Sequence, residues 1–261
     1  MKTLLTLPVA IDEGSGVPLI LLHGIGNNHS SWDFVRRHLN GAKWRIIALD
    51  LLGFGDAPKP DCRYTPEDHA DAVIATLDML GIEAAVFAGH SMGCIVAINI
   101  AHRYPHRVKH LALFGAPLYK QPPKKNLLQK ITRSEGLYFS LFEVVKQNPD
   151  AVQTGGELAE ELLPFVKGME ITEETWPAYK KSLENTIMQY SSYKQACSLT
   201  VPTLFVNGLF DFFIIRRNIV AIQKANKQHI RVRRSLGPHE ITPRQGKIVA
   251  RYINRCNMQA R

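Results

Sequence analysis

The chain has 261 residues, 45% hydrophobic and 21% charged, with 32 Lys and Arg against 23 Asp and Glu, a net charge of +9. That balance is ordinary for a globular domain and excludes a disordered, collagen-like or disulfide-stapled chain. The longest apolar runs, such as residues 17–22 and 94–98, fall far short of the ~18 residues a membrane-spanning helix needs.

The first residues, Met1-Lys2-Thr3-Leu4-Leu5, open like a leader, but Pro8, Asp12 and Glu13 follow with no small-residue cleavage site. The expectation is a cytoplasmic protein. Residues 18–22 (PLILL), 45–49 (RIIAL), 84–88 (AAVFA), 108–114 (VKHLALF) and 203–206 (TLFV) read as strands buried on both faces. Each is short, apolar and followed by turn residues. Residues 229–233 (HIRVR) alternate and read as a more exposed strand. Between the strands, Thr65-Pro66-Glu67-Asp68 opens a helix over 65–80 that Gly81 closes, with an N-cap, a first-position proline and first-turn acids. Residues 92–104 are apolar almost all round and stop at Pro105, the mark of a buried helix. Thr242-Pro243 opens a last helix over 242–257.

This alternation predicts an α/β fold, a mostly parallel sheet flanked by helices. Residues 117–200 interrupt it, with helix-like stretches at 134–147, 156–168 and 172–190 and no convincing β-run. The expected division is a core from residues 1–116 and 201–261, with 117–200 a helical cap inserted between strands.

The excess charge is local. Residues 201–261 carry 12 basic and 2 acidic groups, and Arg244, Lys247, Arg251 and Arg255 recur at helical spacing. Such a face is either simply solvated or weakly attracted to anionic surfaces. Basic–aromatic interleaving is absent, so no specific nucleic acid is expected. Cys62, Cys94, Cys197 and Cys256 lie far apart, without zinc spacing, and read as reduced thiols.

Gly89-His90-Ser91-Met92-Gly93 is a G-x-S-x-G pentapeptide. Alone it is weak: at ~7% each for glycine and serine it arises by chance in roughly one chain in ten of this length. Here it follows a predicted strand and opens a predicted helix, the setting of a nucleophile elbow, with Gly89 and Gly93 allowing close approach. A serine hydroxyl needs a base. Of the ten histidines, His239 follows the last strand on a loop shaped by Gly237 and Pro238, and suits that role best. His90, inside the elbow, is expected to pack or bond locally. His102, His106 and His110 recur every four residues, but Pro105 breaks the helix between them, so no metal site is expected. The acid that orients the base should also follow a strand, and Asp211 does. After residues 108–114 the chain reads Gly115-Ala116-Pro117, with no acid, and Asp50 and Asp56 read as structural. His23-Gly24-Ile25-Gly26 follows the first strand, so the backbone N–H groups of Ile25 and Met92 could face an oxyanion. The same loop lacks the third glycine and the lysine of a phosphate loop.

In these residues and their order, the sequence resembles the α/β-hydrolase superfamily in its cap-bearing bacterial form. The resemblance rests on His23-Gly24, Asp50-Leu51-Leu52-Gly53-Phe54-Gly55, the 89–93 pentapeptide, Asp211 and His239, and spans residues 17–116 and 201–257. The family often has proline where Leu52 stands and serine where Ala57 stands. The resemblance implies a cofactor-free serine hydrolase, and Ser91 in the nucleophile slot speaks against dehalogenase or epoxide hydrolase activity. The expected catalytic residues are Ser91, Asp211 and His239, with Ile25 and Met92 as oxyanion donors and Gly24, Gly89 and Gly93 as support. The expected substrate is a small-molecule carboxylic ester of small to medium apolar acyl group. C–C bond hydrolase, thioesterase, lactonase and perhydrolase activities use the same triad, and a non-catalytic binding or scaffold protein is the remaining alternative.

Overall fold

The computed structural model of the chain describes residues 5–120 and 169–256. The expected helices at 134–147 and 156–168 lie outside the described residues, as does most of the expected cap.

The apolar runs pair into a sheet. Its strands are β1 (Val9–Glu13), β2 (Val17–Leu22), β3 (Trp44–Leu49), β4 (Ala85–His90), β5 (Val108–Phe114), β6 (Thr203–Gly208) and β7 (Ile230–Ser235). They lie in the order β1-β3-β2-β4-β5-β6-β7. All neighbouring pairs are parallel except β1 with β3. β2 to β6 are mostly buried on both faces, as a sheet covered by helices on both sides requires. β1 was not expected from the sequence. It is a partly exposed edge strand (VAIDE) held by an Arg45–Asp12 ion pair at 2.7 Å, so its pattern carries little apolar signal.

The helices among the described residues are α1 (Asp33–Arg36), α2 (Pro66–Met79), α3 (Met92–Arg103), α4 (Trp176–Ser182), α5 (Tyr193–Cys197), α6 (Arg216–Ala225) and α7 (Pro243–Cys256). None is long and apolar enough to cross a membrane. α2 starts where its caps demand: the Thr65 side chain accepts from the Asp68 N–H, and the Asp68 carboxylate accepts from the Thr65 N–H. It packs with α3 on one face of the sheet. α1 and α7 cover the other face, where Val249, Ala250 and Ile253 meet Ala112, Phe114 and Val206. Arg244, Lys247, Arg251 and Arg255 of α7 are all exposed and form the polar side of an amphipathic helix. The helix expected at 172–190 begins only at Trp176. Thr172 and Thr175 each accept from the other's backbone N–H, which closes a turn ahead of it. From Leu183 to Met188 the helix widens to a π-helix.

Four histidines sit inside this fold: His23, His69, His90 and His110. Burial pushes His23 and His110 down to about 4, and His69 and His90 to about 3. The unfolded chain protonates these groups near the ordinary imidazole value, about 6.5, while the folded chain keeps them neutral. Stability is therefore complete above that value and lost as pH falls toward 4. Urea denaturation from pH 7 to pH 4.5 should show the unfolding free energy dropping by up to ~1.4 kcal/mol per pH unit per histidine. A constant value across that range would show that these groups titrate alike in both states.

Candidate active site

The site grows from the junction of β4 and α3. Ser91 stands between them with φ 52° and ψ −116°, a strained conformation for a residue bearing a Cβ, costing of order 1–3 kcal/mol. Two glycines permit the turn. A Cβ at Gly89 would lie 2.6 Å from the Gly93 carbonyl oxygen, and one at Gly93 would lie 2.2 Å from that of Leu22. The Ser91 N–H donates to the Phe114 carbonyl at 2.9 Å, tying the turn to β5. The hydroxyl consequently sits at the N-terminal end of α3, where unpaired amides concentrate positive potential.

The loops after β6 and β7 bring two further side chains to this point. His239 Nε2 lies 2.9 Å from Ser91 Oγ, and His239 Nδ1 lies 2.9 Å from Asp211 Oδ2. A carboxylate only accepts, so Nδ1 carries the proton donated to Asp211, and the Nε2 lone pair accepts from the Ser91 hydroxyl. The other Asp211 oxygen accepts from the Phe213 N–H at 2.9 Å. Ser91 and Asp211 are each 3% exposed, so water scarcely screens the pair. The Phe213 ring packs against the imidazole with centroids 4.8 Å apart.

Two residues that the sequence did not single out for this site support the imidazole. Gly115, with φ 63°, passes beneath it: a Cβ there would lie 3.0 Å from His239 Nδ1 and 3.1 Å from Asp211 Oδ2. Its one sequence signal is a glycine directly after a buried strand. His90, expected to pack or bond locally, is buried in the elbow and donates from Nε2 to the His239 carbonyl at 2.8 Å, across 149 residues. Burial keeps His90 neutral, so a single donor ties the elbow to the loop that carries His239.

The loop after β2 completes the surroundings. A Cβ on Gly24 would lie 3.2 Å from Ser91 Cβ, so this loop touches the serine. Met92, first in α3, has no carbonyl one turn back to receive its N–H. The loop is held from behind by His23, whose Nδ1 donates to the Gly24 carbonyl and whose Nε2 accepts from the Leu51 N–H. Asp50 accepts from the His29 and Asp56 backbone amides, the structural part expected of it. Asp56 contributes its backbone there. Met169 and Tyr179 lie against Gly26, which brings apolar side chains over the loop. Among the described residues, no group of three or more His, Cys, Asp or Glu side chains is placed to hold a metal ion.

Residues 17–242 match the family model described as the alpha/beta hydrolase fold. A probable lysophospholipase of Arabidopsis thaliana, BODYGUARD 4, is 32% identical over 118 residues, 44% of this chain and 28% of that protein. The 2-hydroxymuconate semialdehyde hydrolase of Pseudomonas sp. (strain CF600) is 38% identical over 109 residues, 40% of this chain and 38% of that one. The chain thus aligns with well under half the length of these relatives. A thermophilic esterase from Thermogutta terrifontis superposes with a TM-score of 0.77 at 21% identity, covering 96% of this chain and 92% of that one. At that identity the likeness is one of fold.

His90→Phe keeps a ring in the elbow and removes its donor. It should cost ~1 kcal/mol of stability and shift or broaden the downfield proton resonance of the His239 Nδ1–H. An unchanged resonance and melting temperature would show that the His239 loop is held by other contacts.

Proposed function

Because the chain belongs to the α/β-hydrolase fold family, we propose that it is a serine hydrolase that cleaves a carboxylic ester of small to medium apolar acyl group. The observation that carries the reading is the hydrogen-bonded line from Ser91 Oγ through His239 to the buried Asp211 carboxylate, each link 2.9 Å.

Ser91 Oγ attacks the ester carbonyl carbon as its proton passes to His239 Nε2. The carbonyl π electrons move onto oxygen, and the amides of Ile25 and Met92 receive that oxyanion, each such donor typically worth about 3 kcal/mol. Asp211 holds the imidazole in the tautomer that leaves Nε2 free and stabilises the imidazolium once formed. The imidazolium then protonates the departing alkoxide, the C–O bond breaks, and an acyl group remains on Ser91. A water that gives its proton to His239 attacks this acyl-enzyme, and the acid leaves as Ser91 recovers its proton. Met169 and Tyr179 against Gly26, with Trp176 stacked on Tyr179 at 5.7 Å, support an apolar acyl group on the oxyanion side.

Turnover of p-nitrophenyl esters of graded chain length, with thioesters, lactones and β-diketones alongside, tests the reading. Ser91→Ala should lower ester turnover by ~10^4-fold or more with the fold intact, and Asp211→Asn by ~10^3- to 10^4-fold. Undiminished turnover in Ser91→Ala would remove Ser91 from the chemistry, and a preference for another bond type would correct the substrate.

A further inference from the structure

At the far end of the strands from Ser91, the sheet and α7 part to leave a groove of about 410 Å³. Ala112, Leu204 and Arg231 stand in one row across β5, β6 and β7, and Phe114, Val206 and Arg233 in another. Alternation puts His110, two residues before Ala112, on the same face. α7 covers most of that face. At its last turn Tyr252 and Arg255 form one wall of the groove, opposite Arg231 and Arg233, with His229 at the strand ends.

The charge there is unbalanced. Among the described residues, no carboxylate lines the groove. The two acids of residues 201–261 are Asp211 and Glu240, which sit on the loops at the opposite ends of the strands. Among the described residues, Arg231, Arg233 and Arg255 make no ion pair. Arg231 and Arg233 donate instead to backbone carbonyls of their own segment. His110, 5% exposed, borders the groove from β5.

We infer that this groove is a binding site for a small polyphosphate-bearing anion, separate from the Ser91 site. Three guanidinium groups suit phosphate because each offers paired donors to its oxygens. Two linked phosphates share several negative charges near neutral pH, enough to face three arginines. The volume lies in the range of small-ligand sites. The walls are concave, whereas a lipid surface meets a convex or flat basic face.

Isothermal titration of the full chain with inorganic pyrophosphate and with ADP reads the site directly, beside titration with vesicles containing phosphatidylserine. Saturable one-site binding of pyrophosphate or ADP is expected, weakening at least ~tenfold in Arg233→Ala/Arg255→Ala and falling as salt rises. These exposed positions spare the core, and turnover of any substrate should be unchanged in the double variant. No saturable heat for either anion up to ~10 mM, affinity unaltered in the double variant, or vesicle binding with neither anion bound would each overturn the assignment.

Discussion

A methyl group on residue 93 would stand 2.2 Å from the Leu22 carbonyl oxygen, and one on residue 89 would stand 2.6 Å from that of Gly93. The end of β2, the end of β4 and the first turn of α3 therefore meet at distances that only hydrogen atoms permit. The consequences reach across the site. The chain can reverse from strand to helix within one residue, and that residue, Ser91, takes φ 52°. Its side chain is carried toward the loops after β6 and β7 and away from the helix. The same closeness lays Gly24 against Ser91 Cβ, which sets the loop bearing the Ile25 amide beside the hydroxyl. An alanine at either glycine would move three elements at once, since closely packed interiors have little room to give.

The rest of the frame keeps the imidazole from drifting. His239 lies on a loop, and loops are the mobile part of such folds. This one is held at its side chain by Asp211, at its carbonyl by His90 and from below by the narrow passage at Gly115. Fixing a side chain in advance removes the entropy that would otherwise be lost on reaching a productive geometry. The hydrogen bonds here come from β4 and from the loop after β6, and the loop they hold follows β7, so the alignment depends on several strands at once. The polyphosphate groove draws on the same frame at its other end, where α7 stops short of covering the sheet.

Much of this was legible in the sequence. Buried parallel strands need apolar residues on both faces, so PLILL, RIIAL and VKHLALF stood out from their surroundings. Thr65-Pro66 and Gly81 mark helix ends by local chemistry that operates whatever the tertiary setting. Ser91, Asp211 and His239 each follow a strand, and in a parallel sheet all such positions gather at the carboxyl ends of the strands. Other features lacked a local cause. β1 is partly exposed and polar. α6 has Ile215 at its N-cap with no side-chain bond, so no capping residue announced it. The links from His90 to the His239 carbonyl and from Gly115 to the Asp211–His239 pair join residues far apart in the chain, and exist only once the sheet has formed.

The central claim is that His239 and Asp211 make the Ser91 hydroxyl nucleophilic. A fluorophosphonate probe tests this without knowledge of the substrate, because it bonds covalently to a serine whose proton a neighbouring base removes. Incubation of the folded chain with the probe, followed by peptide mass spectrometry, should find one adduct, on Ser91, and His239→Gln should abolish it. A folded sample that takes up no probe, or takes it up elsewhere, would contradict the account.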